Sequence, residues 1–289
     1  MRSQVGQGAA AWLTALPTTA DLVMKPAWFA ISLRLRLWLP IPAFGAECEA
    51  CGQAADAFGL HLLACTANGR LRRRATALER AWLKVVREAG ATRSRFQPLV
   101  RSLGLFGIPA TDRRQLDVVA YGLDVRGGLP LALDATLRSP FTGAGVPRAL
   151  AATISGSTFA GAYADKDRVY RDVAGSGQVA FVVVAAEVFG RFDDNSRSLV
   201  RELVRAHCQD AGPILRRRLE LGWHRRWWAL LSVAVQVSVA ASMLPTAPAF
   251  EEGEGRLPTR LRVHHDHLSL LEADHEPPEV SRLPLRSGV

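Results

Sequence analysis

Cysteine is scarce in this chain: four residues in 289, with Cys48, Cys51 and Cys65 close together and Cys208 far downstream. That number and spacing exclude a disulfide scaffold and point to a metal site in a reducing, intracellular compartment. A sustained apolar region near the start is also missing. The stretch Ala9 to Leu16 stops at Pro17, so no secretory signal is expected. One longer uncharged run exists, Trp227 to Leu244, preceded by Arg225 and Arg226. It is barely long enough to span a bilayer, and Gln236, Ser232, Ser238 and Ser242 weaken it. A buried or interfacial C-terminal helix is the expectation, and a membrane-associated protein is the less favoured reading. No internal repeat is visible.

Acidic residues are outnumbered: 27 Asp plus Glu against 36 Lys plus Arg, a net charge of +9. That balance favours a polyanionic partner without naming one. Apolar residues make up 48% of the chain, enough to bury a core in one large domain or two modest ones.

Periodicity divides the chain. Residues 1–47 read as an N-terminal extension with one or two short helices, closing at Pro40 and Pro42 after the alternation Leu33 to Leu39. Leu78, Ala81, Trp82, Val85 and Val86 recur at helical spacing, predicting a helix over Thr76 to Glu88 that stops at Gly90. Strands are expected at Arg95 to Val100, Gln115 to Tyr121 and Leu129 to Thr136. A Gly, Ser and Pro-rich loop from Ser139 to Gly161 leads to a helix over Ala162 to Val173. A buried strand from Val179 to Val184 and a helix from Ser196 to His207 follow. Helix, three strands, helix, strand, helix is the order of an α/β fold with a mixed sheet and helices packed on it. Residues 245–289, rich in Pro, Glu and Arg, read as a disordered tail, with His264, His265 and His267 solvated in it.

Two constellations carry chemistry. The first is Cys48-x2-Cys51-x9-His61-x3-Cys65. Paired cysteines two apart can grip one ion through a tight turn, and residues at i and i+4 share a helical face, so four ligands close a tetrahedral zinc site. A closed site leaves no open position for water, so this zinc is expected to stabilise the fold and to present the basic run Arg70, Arg72, Arg73 and Arg74. The second is Asp117 and Asp134 on neighbouring predicted strands. Strand alternation places Asp117 with Gln115 and Val119, and Asp134 with Ala132 and Thr136. Carboxylates in such apolar strands are costly unless a cation or hydrogen bonds compensate. Mg²⁺ or Mn²⁺ suits them, because hard cations take oxygen ligands and retain waters. Lys166, with Tyr170 one turn on, offers positive charge where a phosphodiester would develop negative charge. Glu79 and Glu187 are candidates to complete the metal shell.

With these residues in place, the chain resembles the C-terminal part of proteins encoded by non-LTR retrotransposons that carry a restriction-like endonuclease. In that family a Cys-Cys-His-Cys knuckle, matched at Cys48, Cys51, His61 and Cys65, precedes a nuclease of the PD-(D/E)xK superfamily. The family's basic-residue-plus-Pro-Asp motif is matched by Arg114-Gln115-Leu116-Asp117, its second acid by Asp134, and its displaced lysine and tyrosine by Lys166 and Tyr170. Ala185-Ala186-Glu187-Val188-Phe189-Gly190 is similar to the strand-end segment that follows. Upstream, the segments Gly8 to Pro17 and Leu33 to Pro40 resemble the approach to the knuckle, so the similarity covers roughly residues 3–207. Leu116 stands where the family has proline, and Thr136 where many superfamily members have lysine.

The resemblance implies a restriction-endonuclease-like αβββαβ core with a mixed four-stranded sheet. Its organisation would be an extension at 1–47, a zinc knuckle and basic linker at 48–74, an endonuclease domain at 75–210, C-terminal helices at 211–244 and the tail at 245–289. It further implies a nuclear DNA endonuclease that nicks target DNA, with Mg²⁺ or Mn²⁺ and zinc as metals and no small-molecule cofactor. DNA is the implied partner, the element's RNA a second candidate, and Arg114 joins Arg70 to Arg74 as an expected nucleic-acid contact. The family's reverse transcriptase is not among these residues, so the chain reads as a separated part or a decayed copy. A remnant that binds nucleic acid without cutting it is the main alternative.

Overall fold

The computed structural model describes residues 2–41, 47–67 and 70–244, with backbone alone at 70–73. The calls on the side chains of Arg70, Arg72 and Arg73, on the tail and on its three histidines lie outside the described residues. The protein is mixed α/β, built on one four-stranded sheet in the order β1-β2-β3-β4. Strands β1 (Arg93–Phe96), β2 (Val118–Tyr121) and β3 (Leu131–Arg138) form an antiparallel meander, and β4 (Ala180–Glu187) joins β3 in parallel. The parallel step needs a crossover, supplied by helix α3 (Phe159–Gly175). The element order matches the periodicity.

The two sheet faces carry separate apolar clusters, as the period of two requires. Val118, Ala120, Leu131 and Leu133 face the larger cluster, which includes Leu78, Trp82 and Val86 of α2 (Arg70–Glu88) and Leu199, Val200 and Leu203 of α4 (Asp194–His207). Val119 and Ala132 face the smaller one with Tyr170 and Val173 of α3. Asp193 caps α4, its Oδ1 accepting from the Ser196 amide at 2.9 Å.

Helix α5 (Pro213–Met243) runs unbroken for 31 residues, where several C-terminal helices were expected. From Trp227 onward nearly every position is buried, including Leu231 and Val235 at 0% exposure. The apolar run is therefore a core helix, and no helix among the described residues is long and apolar enough to cross a membrane. Glu88 of α2 fixes α5, accepting from Arg226 Nε at 2.8 Å and Nη2 at 2.6 Å and from Trp227 Nε1 at 3.0 Å. The expected extension at 1–47 and the C-terminal segment contribute to the same cluster through Trp12, Leu22, Ile31 and Leu35 of the former, the last two on α1 (Pro26–Leu37). Trp12 donates its amide to Ser232 Oγ at 3.1 Å, tying the first segment to the last helix. These stretches share one apolar cluster with residues 75–210.

Candidate functional site

Asp134 lies in mid-β3 at 1% exposure, and Asp117 immediately precedes β2. The Asp117 amide donates to the Leu133 carbonyl at 3.1 Å, and its Oδ2 accepts from the Ala135 amide at 2.6 Å, so the backbone on both sides of Asp134 holds Asp117. Glu79 of α2, buried at 5% exposure, reaches the same place. All three carboxylates line a cleft of about 880 Å³ together with Lys166 and Tyr170 of α3.

Burial pushes the Asp117 carboxyl up to about 8, with the charges of Asp134 and Glu79 adding to it. Burial raises Asp134 as well, against the pull of Lys166. Glu79 is raised by the same cause and drawn down by the Gln97 amide group, whose Nε2 donates to Glu79 Oε2 at 2.9 Å. Lys166 Nζ stands 2.5 Å from Asp134 Oδ1, an ion pair at an oxygen that is otherwise buried. Such a group favours a cation.

Tyr170 donates its hydroxyl proton to the Gln115 carbonyl at 2.5 Å, and Lys166 Nζ and Arg114 Cζ each stand 5.9 Å from its ring centroid. Burial and the Asp134 and Asp117 charges raise its pKa, keeping it protonated. The backbone of α3 departs from helical angles at Tyr170. Arg114 donates to the Val169 carbonyl there, and the Val173 amide turns to Asp172 Oδ1 at 2.9 Å, which accounts for the break.

Three expectations need correction. Glu187 does not join the cleft: at the end of β4 it accepts from Thr158 Oγ1 at 2.8 Å and faces Arg191 at 3.9 Å. Strand register explains this, because Glu187 pairs with Arg138, four positions beyond the Asp134–Val183 pair. Arg114 is a clamp rather than a free contact, pairing with Asp112 at 2.6 Å and Asp172 at 2.5 Å. Arg74 is buried at 3% exposure and donates to the Leu63 carbonyl at 2.8 Å, with burial lowering its pKa to about 10. Arg74 still lines the cleft, which also presents Arg113, Arg138 and Arg148, with Gln97, Gln115 and Thr136. Gln115 and Thr136 follow from strand alternation, whereas Gln97, Arg113, Arg138 and Arg148 come from loops and strand ends scattered in sequence, and no spacing signalled them.

The second constellation forms a tight cluster. The ligand atoms of Cys48, Cys51, His61 and Cys65 all lie within 4.8 Å of one another. Cys48 and Cys65 sulfurs are 3.9 Å apart, Cys51 and Cys65 3.8 Å, and Cys51 Sγ is 3.3 Å from His61 Nε2. A zinc tetrahedron with bonds of about 2.3 Å to sulfur has sulfur–sulfur edges of about 3.8 Å. The cluster is thus compatible with zinc. Among the described residues it is the group of three or more such ligands that meets this spacing. Burial opposes ionisation of Cys48, yet hydrogen bonds from the Ala50 amide, His61 and Cys51 bring its thiol down to about 7. Asp56 shapes the turn that carries His61, accepting from the amides of Phe58 at 2.9 Å, Leu60 at 3.0 Å and His61 at 2.9 Å. His61 Nδ1 contacts the Gly143 carbonyl at 2.5 Å, which makes Nδ1 the protonated nitrogen and leaves Nε2 for the metal. No protein-family model matches this chain, and no curated protein matches it.

Proposed function

We propose that this protein is a metal-dependent DNA endonuclease of the restriction-like PD-(D/E)xK type, akin to those of non-LTR retrotransposons, with a zinc knuckle beside its nuclease fold. The observation that carries the reading is the convergence of Glu79, Asp117, Asp134, Lys166 and Tyr170 on one cleft from α2, β2, β3 and α3. The αβββαβ order of α2 through β4 and the lysine on α3 rather than at Thr136 further support it.

Asp117 and Asp134 would hold Mg²⁺ or Mn²⁺, with Glu79 steadied by Gln97 as the third carboxylate. A bound cation would supply Lewis-acid charge and lower the pKa of a coordinated water. Lys166 would turn from Asp134 toward the scissile phosphate and stabilise its charge, Tyr170 would hold the Gln115 segment beside it, and Arg113 and Arg148 would meet flanking phosphates. In an element-encoded protein, nicking would free a 3′ hydroxyl for primed synthesis on the element's RNA in the nucleus.

Incubating the purified chain with supercoiled plasmid and Mg²⁺ or Mn²⁺ tests this. Nicking that vanishes in Asp134→Ala while DNA binding persists supports the enzyme. Binding without nicking by folded, zinc-loaded protein sinks it and favours a second reading, a nucleic-acid-binding remnant. That reading draws on the ion pair already occupying Asp134.

A further inference from the structure

The Cys–His cluster and the carboxylate cleft share a wall. Leu63, Ala64 and Thr66, close to Cys65 in sequence, line the cleft together with Ser139 and Arg148 of the β3–α3 loop. Within that loop the Thr142 amide donates to the Val146 carbonyl at 2.8 Å, closing a turn, and Arg148 Nε donates to the Ser139 carbonyl at 3.0 Å. The turn carries Gly143, whose carbonyl receives His61 Nδ1. Gly145, at φ +73°, lies against the same segment: a Cβ there would stand 3.7 Å from Asp56 Oδ2 and 3.8 Å from the His61 amide nitrogen.

Two further ties reinforce the contact. Phe141 of the loop and Phe58 of the knuckle both pack on Trp38, with centroids 6.4 Å and 6.2 Å away. Arg74 fastens the Leu63 carbonyl to α2. The knuckle has little core of its own: Cys48, Leu62 and Cys65, two of which are ligands. Leu63 and Leu60 join the main core, so what depends on the metal for order is the ligand loop around Cys48, Cys51 and His61 rather than the whole segment.

We propose that His61 is a positioning residue as well as a ligand: Nε2 closes the zinc tetrahedron, and Nδ1 holds residues 139–150 as a wall of the carboxylate cleft. The state of the zinc centre therefore sets the shape of the cleft some distance from the metal. A ligand that moves away from the tetrahedron takes Gly143 with it, and with Gly143 the turn that places Ser139 and Arg148. This inference rests on zinc filling the cluster and is independent of whether the cleft cuts DNA.

His61→Cys in the full chain separates the two roles, since a fourth thiolate can replace Nε2 but has no counterpart to Nδ1. Native mass spectrometry would count zinc, and hydrogen exchange would follow the amides of residues 139–150 against those of α5. With zinc retained, exchange in 139–150 should rise about tenfold or more while α5 stays protected. Wild-type protection in zinc-loaded His61→Cys overturns the proposal. Should the variant hold no zinc, stripping and reloading the wild type decides: protection of 139–150 that follows the zinc supports the coupling, and protection that ignores it refutes it. A Mn²⁺ titration read by electron paramagnetic resonance adds the link to the carboxylates. Affinity should fall severalfold in His61→Cys, and equal affinity in the two proteins overturns that link. A wild type that binds no Mn²⁺ would sink the nuclease reading instead, leaving the exchange result to judge the wall.

Discussion

Lys166 Nζ lies 2.5 Å from Asp134 Oδ1, a close ion pair at a carboxylate that is all but sealed from solvent. The lysine, a quarter exposed on its side chain, can swing away, whereas the aspartate on β3 cannot. The pair therefore resembles a site in which one charge waits to be replaced. Lys166→Ala should lower nicking by about 10²- to 10³-fold, the range for losing one preorganised charge at a reacting centre. Mn²⁺ affinity should hold or improve, because the competing cation is gone. Isothermal titration beside a plasmid assay checks both, and loss of Mn²⁺ binding would show that Lys166 supports the site rather than acts in it.

Asp117 sets the pH response. Its folded pKa of about 8 lies above the unfolded carboxyl value of 3.8, so the folded chain binds the extra proton between those limits. Stability from this group is full below about pH 4 and declines as pH rises toward 8, by at most about 1.4 kcal/mol per unit. Asp117→Asn removes that slope. The metal-free variant should gain on the wild type as pH rises from 6 to 8 in urea melts, and the gain should disappear when Mg²⁺ is present. Parallel melting curves at both pH values would show that Asp117 titrates normally.

Much of this was readable from sequence where one physical signal dominated. The period of two put Asp117 with Val119 and Asp134 with Ala132, and both valine and alanine lie in the α3-facing cluster. The four-ligand spacing found the cysteine cluster because tight turns confine it locally. Glu187 misled, since a strand-end acid looks alike whether register carries it to the cleft or four pairs beyond. Helix α2 begins at Arg70 rather than Thr76 because arginine propagates a helix without any apolar period to announce it. Residues 211–244 were expected as more than one helix, because Arg216, Arg217 and Arg218 carry no apolar period to show that the helix runs on unbroken into the apolar stretch.

Glu187→Gln separates register from chemistry. Glu187 meets Thr158, Arg191 and no cleft group, so Mn²⁺ affinity and nicking should stay within about twofold of wild type, while stability falls by about 1–3 kcal/mol through the weakened buried contacts. Asp134→Asn should do the reverse, removing Mn²⁺ binding while leaving the metal-free fold as stable or more so. A large loss of Mn²⁺ affinity in Glu187→Gln would return this residue to the metal shell.

Glu88 joins the two longest helices. It accepts three hydrogen bonds, two from Arg226 and one from Trp227, and its side chain is 18% exposed. Glu88→Ala strands a guanidinium and an indole N–H together at the α2–α5 contact, at a cost of about 2–4 kcal/mol. Glu88→Gln keeps one acceptor and should recover roughly half of that. Leu231→Ala, at a fully buried position of α5, should cost about 2–5 kcal/mol by leaving a cavity. Both sites lie on the far side of the sheet from α3, so Mn²⁺ affinity at 10 °C should be unchanged while the urea midpoint falls. If Leu231→Ala left the midpoint unchanged, the run from Trp227 to Met243 would not be packed in the core, and a different role for that helix would follow.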